Sequence, residues 1–178
     1  MYKRQDITQS NDGTLIIACY KAGVAKFDGK KFTLYDNGLD DKRVILLENG
    51  FDGEIWAGTE SAGIGVLEQD QFKMIRDSDG LAHNEMFSLY NDGKRMWAGT
   101  FGGGVSCFHD NTWFTLRESD GLNSNTVGSI VSIDENTTMI GGTSGVSIFK
   151  TNNQKFSLEM GDILTPKEEL SFDKQMEP

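Results

Sequence analysis

The chain has 178 residues, enough for one domain with a hydrophobic core and too few for two domains of ordinary size. Glycine occurs 21 times against two prolines and 37% of residues are apolar, which suits short strands joined by tight turns and excludes a disordered chain. The net charge of −10 repels nucleic acids and anionic membranes, so neither is an expected partner.

Two markers recur in step along the chain, about 41 residues apart. Gly-Leu pairs begin at Gly38, Gly80 and Gly121, and Trp-Ala-Gly-Thr segments begin at Trp56 and Trp97. Weaker copies of the second marker are Ile-Ile-Ala-Cys at 16–19 and Ile-Gly-Gly-Thr at 140–143. The chain is therefore expected to contain four copies of one repeat.

Each copy contains about four apolar stretches of strand length, separated by turn residues. The third strands are expected at 23–27, 63–67, 104–108 and 145–149, and the fourth at 32–35, 72–75, 113–116 and 156–158. Asp-Gly or Asn-Gly pairs at 12–13, 28–29, 49–50, 52–53 and 92–93 predict type I′ hairpins. No 3.6-residue periodicity precedes residue 165; only 165–170 could begin a helix.

These features predict an all-β fold, a β-propeller of four four-stranded blades that forms a closed small ring or half of a larger ring. The blades are expected at about 1–39, 40–81, 82–122 and 123–160, with an acidic tail at 161–178. Packing requirements recur in every blade, so residues at repeat positions are predicted to be structural. They are Trp56, Gly58, Thr59, Trp97, Gly99, Thr100, Gly142 and Thr143.

The third copy carries a resemblance to a known family. Its Gly80-Leu81, Asn84, Met86, Asp92-Gly93, Trp97-Ala98-Gly99-Thr100 and Gly103-Gly104-Val105 resemble the two-component regulator propeller repeat. That resemblance implies the sensor part of a bacterial histidine kinase or hybrid regulator, in the periplasm or outside the cell. A carbohydrate or another small solute is the expected ligand. The sequence shows no signal peptide, and a cytoplasmic location stays open.

Little in the sequence points to catalysis. His83 stands beside Asn84 and Glu85, and streptogramin lyases are propellers that use histidine and glutamate, so a lyase-like enzyme is the minor alternative. No metal-ligand spacing or nucleophile motif accompanies His83 or His109. We therefore expect a protein that is not an enzyme and holds no cofactor or metal.

A binding site is expected on the face that carries the loops between blades and those between second and third strands. These loops are rich in residues that hydrogen-bond polyhydroxylated ligands, although the same residues also form turns. The candidate ligand-binding residues are Asp41, Lys42, Glu60, His83, Asn84, Phe101, Asn123 and Asn125. A scaffold for protein interaction is the main alternative function.

Neither chain end offers a strand to complete a shared blade, which leaves ring closure open. An open arc would expose apolar blade faces, so we expect self-association, most simply as two arcs in an eight-bladed ring, or further repeats. No segment is long and apolar enough for a membrane span. Whether Cys19 and Cys107 pair is not decided by the sequence.

Overall fold

The computed structural model describes residues 6–152 and 155–157, and within them all regular structure is β apart from two short 3₁₀ turns. The strands are β1 Ile7–Gln9, β2 Leu15–Cys19, β3 Gly23–Phe27, β4 Phe32–Tyr35, β5 Val44–Asn49, β6 Ile55–Thr59, β7 Ile64–Glu68, β8 Gln71–Ile75, β9 Met86–Asn91, β10 Met96–Thr100, β11 Val105–His109, β12 Thr112–Leu116, β13 Val127–Asp134, β14 Thr137–Gly142, β15 Gly145–Asn152 and β16 Lys155–Ser157. The 3₁₀ turns are Asp77–Asp79 and Glu118–Asp120.

The strands form four antiparallel sheets of four strands, each in chain order. We call them blades 1 to 4: β1–β4, β5–β8, β9–β12 and β13–β16. The all-β prediction with four four-stranded blades is confirmed. The fourth strand of the last copy lies at Lys155–Ser157; Leu158 and the predicted tail at 161–178 fall outside the described residues.

Alternation along the strands gives each blade two faces, one toward the preceding blade and one toward the next. In blade 3, Trp97 and Cys107 are paired across neighbouring strands and face blade 4, whereas Met96 and Phe108 are paired and face blade 2. Residues on both faces of the middle blades are buried, which explains strands such as β6 and β10 that are apolar on both sides.

Three apolar cores lie at the three junctions between consecutive blades. Blades 1 and 2 share a core that contains Ile16 and Phe72. Between blades 2 and 3, the Trp56 ring packs against Phe108 and Trp113 with centroids 6.0 and 6.1 Å apart. Trp97 packs edge-on against Phe149 of blade 4 at 5.1 Å in the third core.

The four blades form an open arc. In the part of the chain that the structure describes, no apolar core or hydrogen bond joins blade 4 to blade 1 in the way that consecutive blades are joined. Of the two expected alternatives, the described residues therefore do not form a closed four-blade ring. The arc leaves one face of blade 1 and one face of blade 4 without a neighbouring blade.

The hairpin turns differ from the sequence prediction. The Asp-Gly pairs do not form type I′ turns, because at Gly13, Gly29, Gly53 and Gly93 only the glycine has a positive φ. Among the described residues, the two-residue loops with both φ angles positive are Gln69–Asp70 and Asp110–Asn111. Asp and Asn tolerate this conformation better than most residues.

Both cysteines are free thiols, with Cys107 buried in blade 3 and Cys19 half-buried in blade 1. Within the described residues, no helix has the length and apolar character needed to cross a membrane.

Candidate functional site

One end of the arc, which we call the loop face, carries the loops between blades and the loops between the second and third strands of each blade. Antiparallel order brings them together, because the second strand of a blade ends where its first strand begins. The candidate ligand-binding residues all lie in these loops or directly beside them.

The tip residue after each second strand repeats in backbone geometry but not in side chain. The backbone N–H of Glu60 donates to Arg43 O at 3.0 Å, that of Phe101 to Glu85 O at 3.0 Å, and that of Thr143 to Thr126 O at 3.2 Å. One backbone position therefore presents an acidic, an aromatic and a hydroxyl side chain in blades 2, 3 and 4. We call these residues the tip positions.

The repeated sequence marker aligns Thr143 with Thr100, whereas the backbone hydrogen bonds make Thr143 equivalent to Phe101. The structural alignment of the fourth copy is therefore shifted by one residue from the sequence alignment. Thr59 and Thr100 each end a second strand and donate their hydroxyl to a glycine carbonyl in the four-residue loop that follows. Thr143 instead pairs its hydroxyl with Ser124 at 2.9 Å, because the loop of blade 4 is shortened to two residues between Gly142 and Gly145. Gly142 thus holds the place that Thr59 and Thr100 hold.

An ionic cluster joins the loops at the junction of blades 1 and 2. The Arg43 guanidinium donates two hydrogen bonds to the Asp41 carboxylate, at 2.8 and 2.7 Å, and contacts Glu60 at 2.7 Å. The Tyr20 hydroxyl donates to Glu60 at 3.0 Å, and Ser61 donates to Asp41 at 2.8 Å. Asp41 is buried beneath the guanidinium, whereas Arg43 and Glu60 are half-buried, with 37% and 36% of their side chains exposed on the loop face.

The same cluster sets the charge states of its members. Burial by itself raises the pKa of Asp41, but the hydrogen bonds from Arg43 and Ser61 outweigh it and leave the pKa below its ordinary value. The bond to Asp41 also raises the pKa of Arg43. The cluster therefore presents a fixed guanidinium beside a carboxylate and a phenol, groups suited to hydrogen-bonding vicinal hydroxyls.

Asp41 and His83 occupy equivalent turns, in which a side chain accepts the backbone N–H two residues ahead. Asp41 accepts from Arg43 at 2.9 Å, His83 Nδ1 from Glu85 at 3.1 Å, and Ser124 Oγ from Thr126 at 3.0 Å. In its turn the His83 imidazole thus acts as the hydrogen-bond acceptor, as the carboxylate and the hydroxyl do in the other two.

Asn84 and Asn125 also act in equivalent places, as supports for the 3₁₀ turns. Their Oδ1 atoms accept the backbone N–H of Asp77 and of Glu118, both at 2.9 Å. Their carbonyls accept the N–H of Gly63 and Gly104 across the blade junctions, both at 2.8 Å. In the loop between blades 1 and 2, Lys42 holds the position equivalent to Asn84 and Asn125. Its side chain pairs with the Asp36 carboxylate at 2.5 Å.

Phe101 and Asn123 complete the candidate set. Phe101 is 52% exposed at its tip position and rests edge-on against Phe87, with ring centroids 6.0 Å apart. The backbone N–H of Asn123 donates to Ser147 Oγ at 2.8 Å, while its buried Oδ1 has no hydrogen-bond partner among the described residues. Phe101 thus offers an aromatic face to a ligand, and Asn123 acts within a blade junction.

The ionic cluster around Glu60 is completed by two residues that were not predicted from the sequence, Tyr20 and Arg43. The available signal was position: Tyr20 directly follows the second strand of blade 1, as Glu60 does in blade 2. Within the described residues, no group of three or more His, Cys, Asp or Glu side chains is placed to hold a metal ion.

No model of a protein family matches the chain, and no curated protein matches it. Among solved structures, the WD40 β-propeller domain of Doa1 aligns with 90% of this chain and 53% of its own length, at a TM-score of 0.60 and 10% identity. The chain is an arc of a β-propeller.

The resemblance to two-component sensor propellers extends to their three-dimensional fold. The extracellular domain of the hybrid two-component system BT3049 from B. thetaiotaomicron aligns with 89% of this chain, with a TM-score of 0.71 and 20% identity. This chain covers 25% of that protein, so it spans about a quarter of its length. At this identity the similarity establishes the fold.

A lyase is also among the structural neighbours. Virginiamycin B lyase from Staphylococcus aureus aligns with 83% of this chain and 55% of its own length, at a TM-score of 0.56 and 18% identity. This similarity likewise concerns the fold. The lyase-like alternative depends on His83, whose Nδ1 is engaged by the backbone of Glu85.

Proposed function

We propose that this chain is a non-catalytic, ligand-binding part of a sensor propeller that lies outside the cytoplasm and binds a carbohydrate on its loop face. The tip positions carry the proposal. Their backbone hydrogen bonds repeat from blade to blade, whereas their side chains change from Glu60 to Phe101 to Thr143. Side chains needed for packing would repeat with the scaffold, so their variation favours a role in binding.

The chemistry of the loop face agrees with a neutral polyhydroxylated ligand. An exposed aromatic ring such as Phe101 can stack on the apolar face of a sugar. The Arg43–Glu60–Tyr20 cluster supplies donors and acceptors held in fixed positions. Similarity to an extracellular sensor domain supports the extracytoplasmic location, and we propose that the arc works within a larger ring.

Thermal unfolding with a panel of neutral oligosaccharides (maltotriose, xylotriose, chitotriose and mannotriose) tests this function. A ligand at 100 times its dissociation constant adds about 2.7 kcal/mol to the free energy of unfolding, which raises the Tm by about 5–10 °C for a domain of this size. Phe101→Ala and Glu60→Ala should abolish the shift. Phe51→Ala, which removes an exposed ring from a turn at the opposite end of blade 2, should keep it.

The absence of any shift across the panel would contradict carbohydrate binding. A shift that survives both tip substitutions would place the ligand elsewhere on the molecule. For the lyase-like alternative, loss of a measured lyase activity in His83→Ala is the minimum requirement.

A further inference from the structure

The face of blade 1 that points away from blade 2 is an apolar surface in contact with solvent. Ile7 is 63% exposed and Phe32 is 62% exposed, and these residues lie on one side of the sheet. We call this surface the blade-1 end face; it consists of Ile7, Leu15, Ile17, Phe27, Phe32 and Leu34. Exposed apolar surface of this kind marks an interaction site on a soluble protein.

The face of blade 4 that points away from blade 3 is also apolar. Val131 is 52% exposed and Ile133 is 63% exposed. Val131 pairs with Met139, which in turn pairs with Ile148 on the neighbouring strand. We call Val131, Ile133, Met139, Val146 and Ile148 the blade-4 end face.

The two end faces have the register of a blade junction. Leu15, Phe27 and Phe32 pair across β2, β3 and β4 as Met96, Phe108 and Trp113 pair across β10, β11 and β12. Phe108 and Trp113 are the rings on which Trp56 of the preceding blade packs. The rings of Phe27 and Phe32 stack with their centroids 4.4 Å apart. They form the surface of blade 1 that corresponds to the Phe108–Trp113 surface of blade 3, but the described residues supply no preceding blade to cover it.

The blade-4 end face supplies the matching half. Val131, Met139 and Ile148 hold the register that Tyr90, Trp97 and Cys107 hold in blade 3, and those residues pack on blade 4. Met139 therefore stands where Trp97 stands, as the side chain that would pack on the next blade's aromatic pair.

A polar detail of the junction is repeated as well. Ser88 Oγ donates to Val127 O of blade 4 at 3.1 Å, beside Gly99, whose lack of a side chain admits that carbonyl. Ser129 and Gly141 are the equivalent pair in blade 4. A cleft of about 350 Å³, lined by Ser129, Gly141 and Val146 among others, lies where a next blade would place the corresponding carbonyl.

We propose that a second copy of this chain docks head to tail, with the blade-1 end face of each copy on the blade-4 end face of the other. Both halves of the junction are present on one polypeptide, so a copy supplies each missing neighbour. Four blades also span 53% of the WD40 propeller domain of Doa1, so two arcs amount to about one ring. Two identical junctions close a pair with two-fold symmetry and leave neither end face in solvent.

Sedimentation or light scattering of the full chain tests this docking, independently of what the loop face binds. The wild type should have twice the 19.7 kDa of one chain. Phe32→Asp and Val131→Asp should each raise the dissociation constant at least about 30-fold, since each places a charge in both junctions. Leu34→Asp and Ile133→Asp provide second variants, and Phe51→Asp, on an exposed turn, should leave the pair intact.

Mixing the two variants separates head-to-tail docking from docking of like faces. Phe32→Asp keeps an intact blade-4 end face and Val131→Asp an intact blade-1 end face, so the mixture should form a complex with one native junction. Pairing of Val131→Asp or of Phe32→Asp with itself at wild-type strength would overturn the proposal. A monomeric wild type would also overturn the proposal and would indicate that the end faces bind other blades. A series of oligomers larger than two chains would overturn it as well.

Discussion

The carboxylate of Asp92 accepts the indole N–H of Trp97 at 3.0 Å. The same Oδ2 accepts the Nε–H of Arg95 at 2.7 Å, and the side chains of Arg95 and Asp92 are only 5% and 3% exposed. The turn between β9 and β10 is thereby tied to the tryptophan that fills the core between blades 3 and 4. Glu54 and Trp56 repeat this relationship in blade 2, also at 3.0 Å.

Asp92→Ala should lower the free energy of unfolding by about 3–5 kcal/mol, because it leaves the buried Arg95 guanidinium without its counter-charge. Urea unfolding at pH 7 measures the change. The control is Lys94→Ala, at a position two residues after Asp92. It removes the exposed ion pair between Lys94 and Glu135 and should lower the free energy of unfolding by at most about 1 kcal/mol. Equal losses in the two variants would contradict a special role for the buried pair.

Gly104→Ala should destabilise the fold by at least about 2 kcal/mol. Gly104 has a φ of +98°, and an added Cβ would lie 2.2 Å from Leu116 O. Gly102 in the same loop has a φ of +84° with nothing within 4 Å of the added Cβ, so Gly102→Ala should cost only about 1–2 kcal/mol. Thermal unfolding of the two variants measures the difference, and the reverse order would show that the loop rearranges.

Glu48→Gln should stabilise the protein at pH 7. Burial raises the pKa of Glu48 despite a hydrogen bond from the Asn49 backbone, so ionising this carboxyl costs more in the folded than in the unfolded state. The favourable contribution of Glu48 to the free energy of unfolding is complete at pH values below the ordinary pKa of a glutamate. It is lost as the pH rises through the raised pKa that Glu48 has in the folded state.

The stability gain from Glu48→Gln should accordingly disappear below about pH 4, where both states are protonated. Urea unfolding between pH 3 and pH 7 follows this change. Glu68→Gln, at an exposed carboxyl paired with Lys73, is the control for loss of a charge. A gain that is independent of pH would show that burial of the charge is not its cause.

Cys107 should stay unmodified by Ellman's reagent at pH 8 until the protein unfolds. Burial raises the pKa of this thiol, which keeps it protonated, and it is enclosed in the core between blades 3 and 4. The variant Cys19→Ser makes Cys107 the sole reporter, and urea should release one reactive thiol per chain. Reaction in the absence of urea would indicate local opening of that junction.

Much of the fold could be predicted from the sequence because its causes are local. Alternating apolar residues in short strands and glycines in turns repeat about every 41 residues, which specifies four similar meanders. Turn geometry was harder to predict. Gln69–Asp70 and Asp110–Asn111 adopt positive φ without glycine, while the Asp-Gly pairs do not form type I′ turns.

The candidate site could be located only in part. The loops were identified correctly as one face, but residues of similar polarity serve different purposes within it. Asn84 and Asn125 support 3₁₀ turns, whereas Glu60 meets Arg43 and Tyr20 from another loop. The contact between Tyr20 and Glu60 joins residues 40 positions apart in the sequence, and no local sequence pattern predicts it.

By itself, the sequence determined the repeat, the four-stranded blade and the tryptophan positions, since each follows from strand periodicity and local turns. Only the tertiary structure decided that the arc is open, because closure depends on how the blades pack. It also showed that Thr143 matches Phe101, since a shortened loop shifts the register of the last blade. The two exposed end faces arise from the same cause: each carries a junction surface whose partner is not supplied by the four blades.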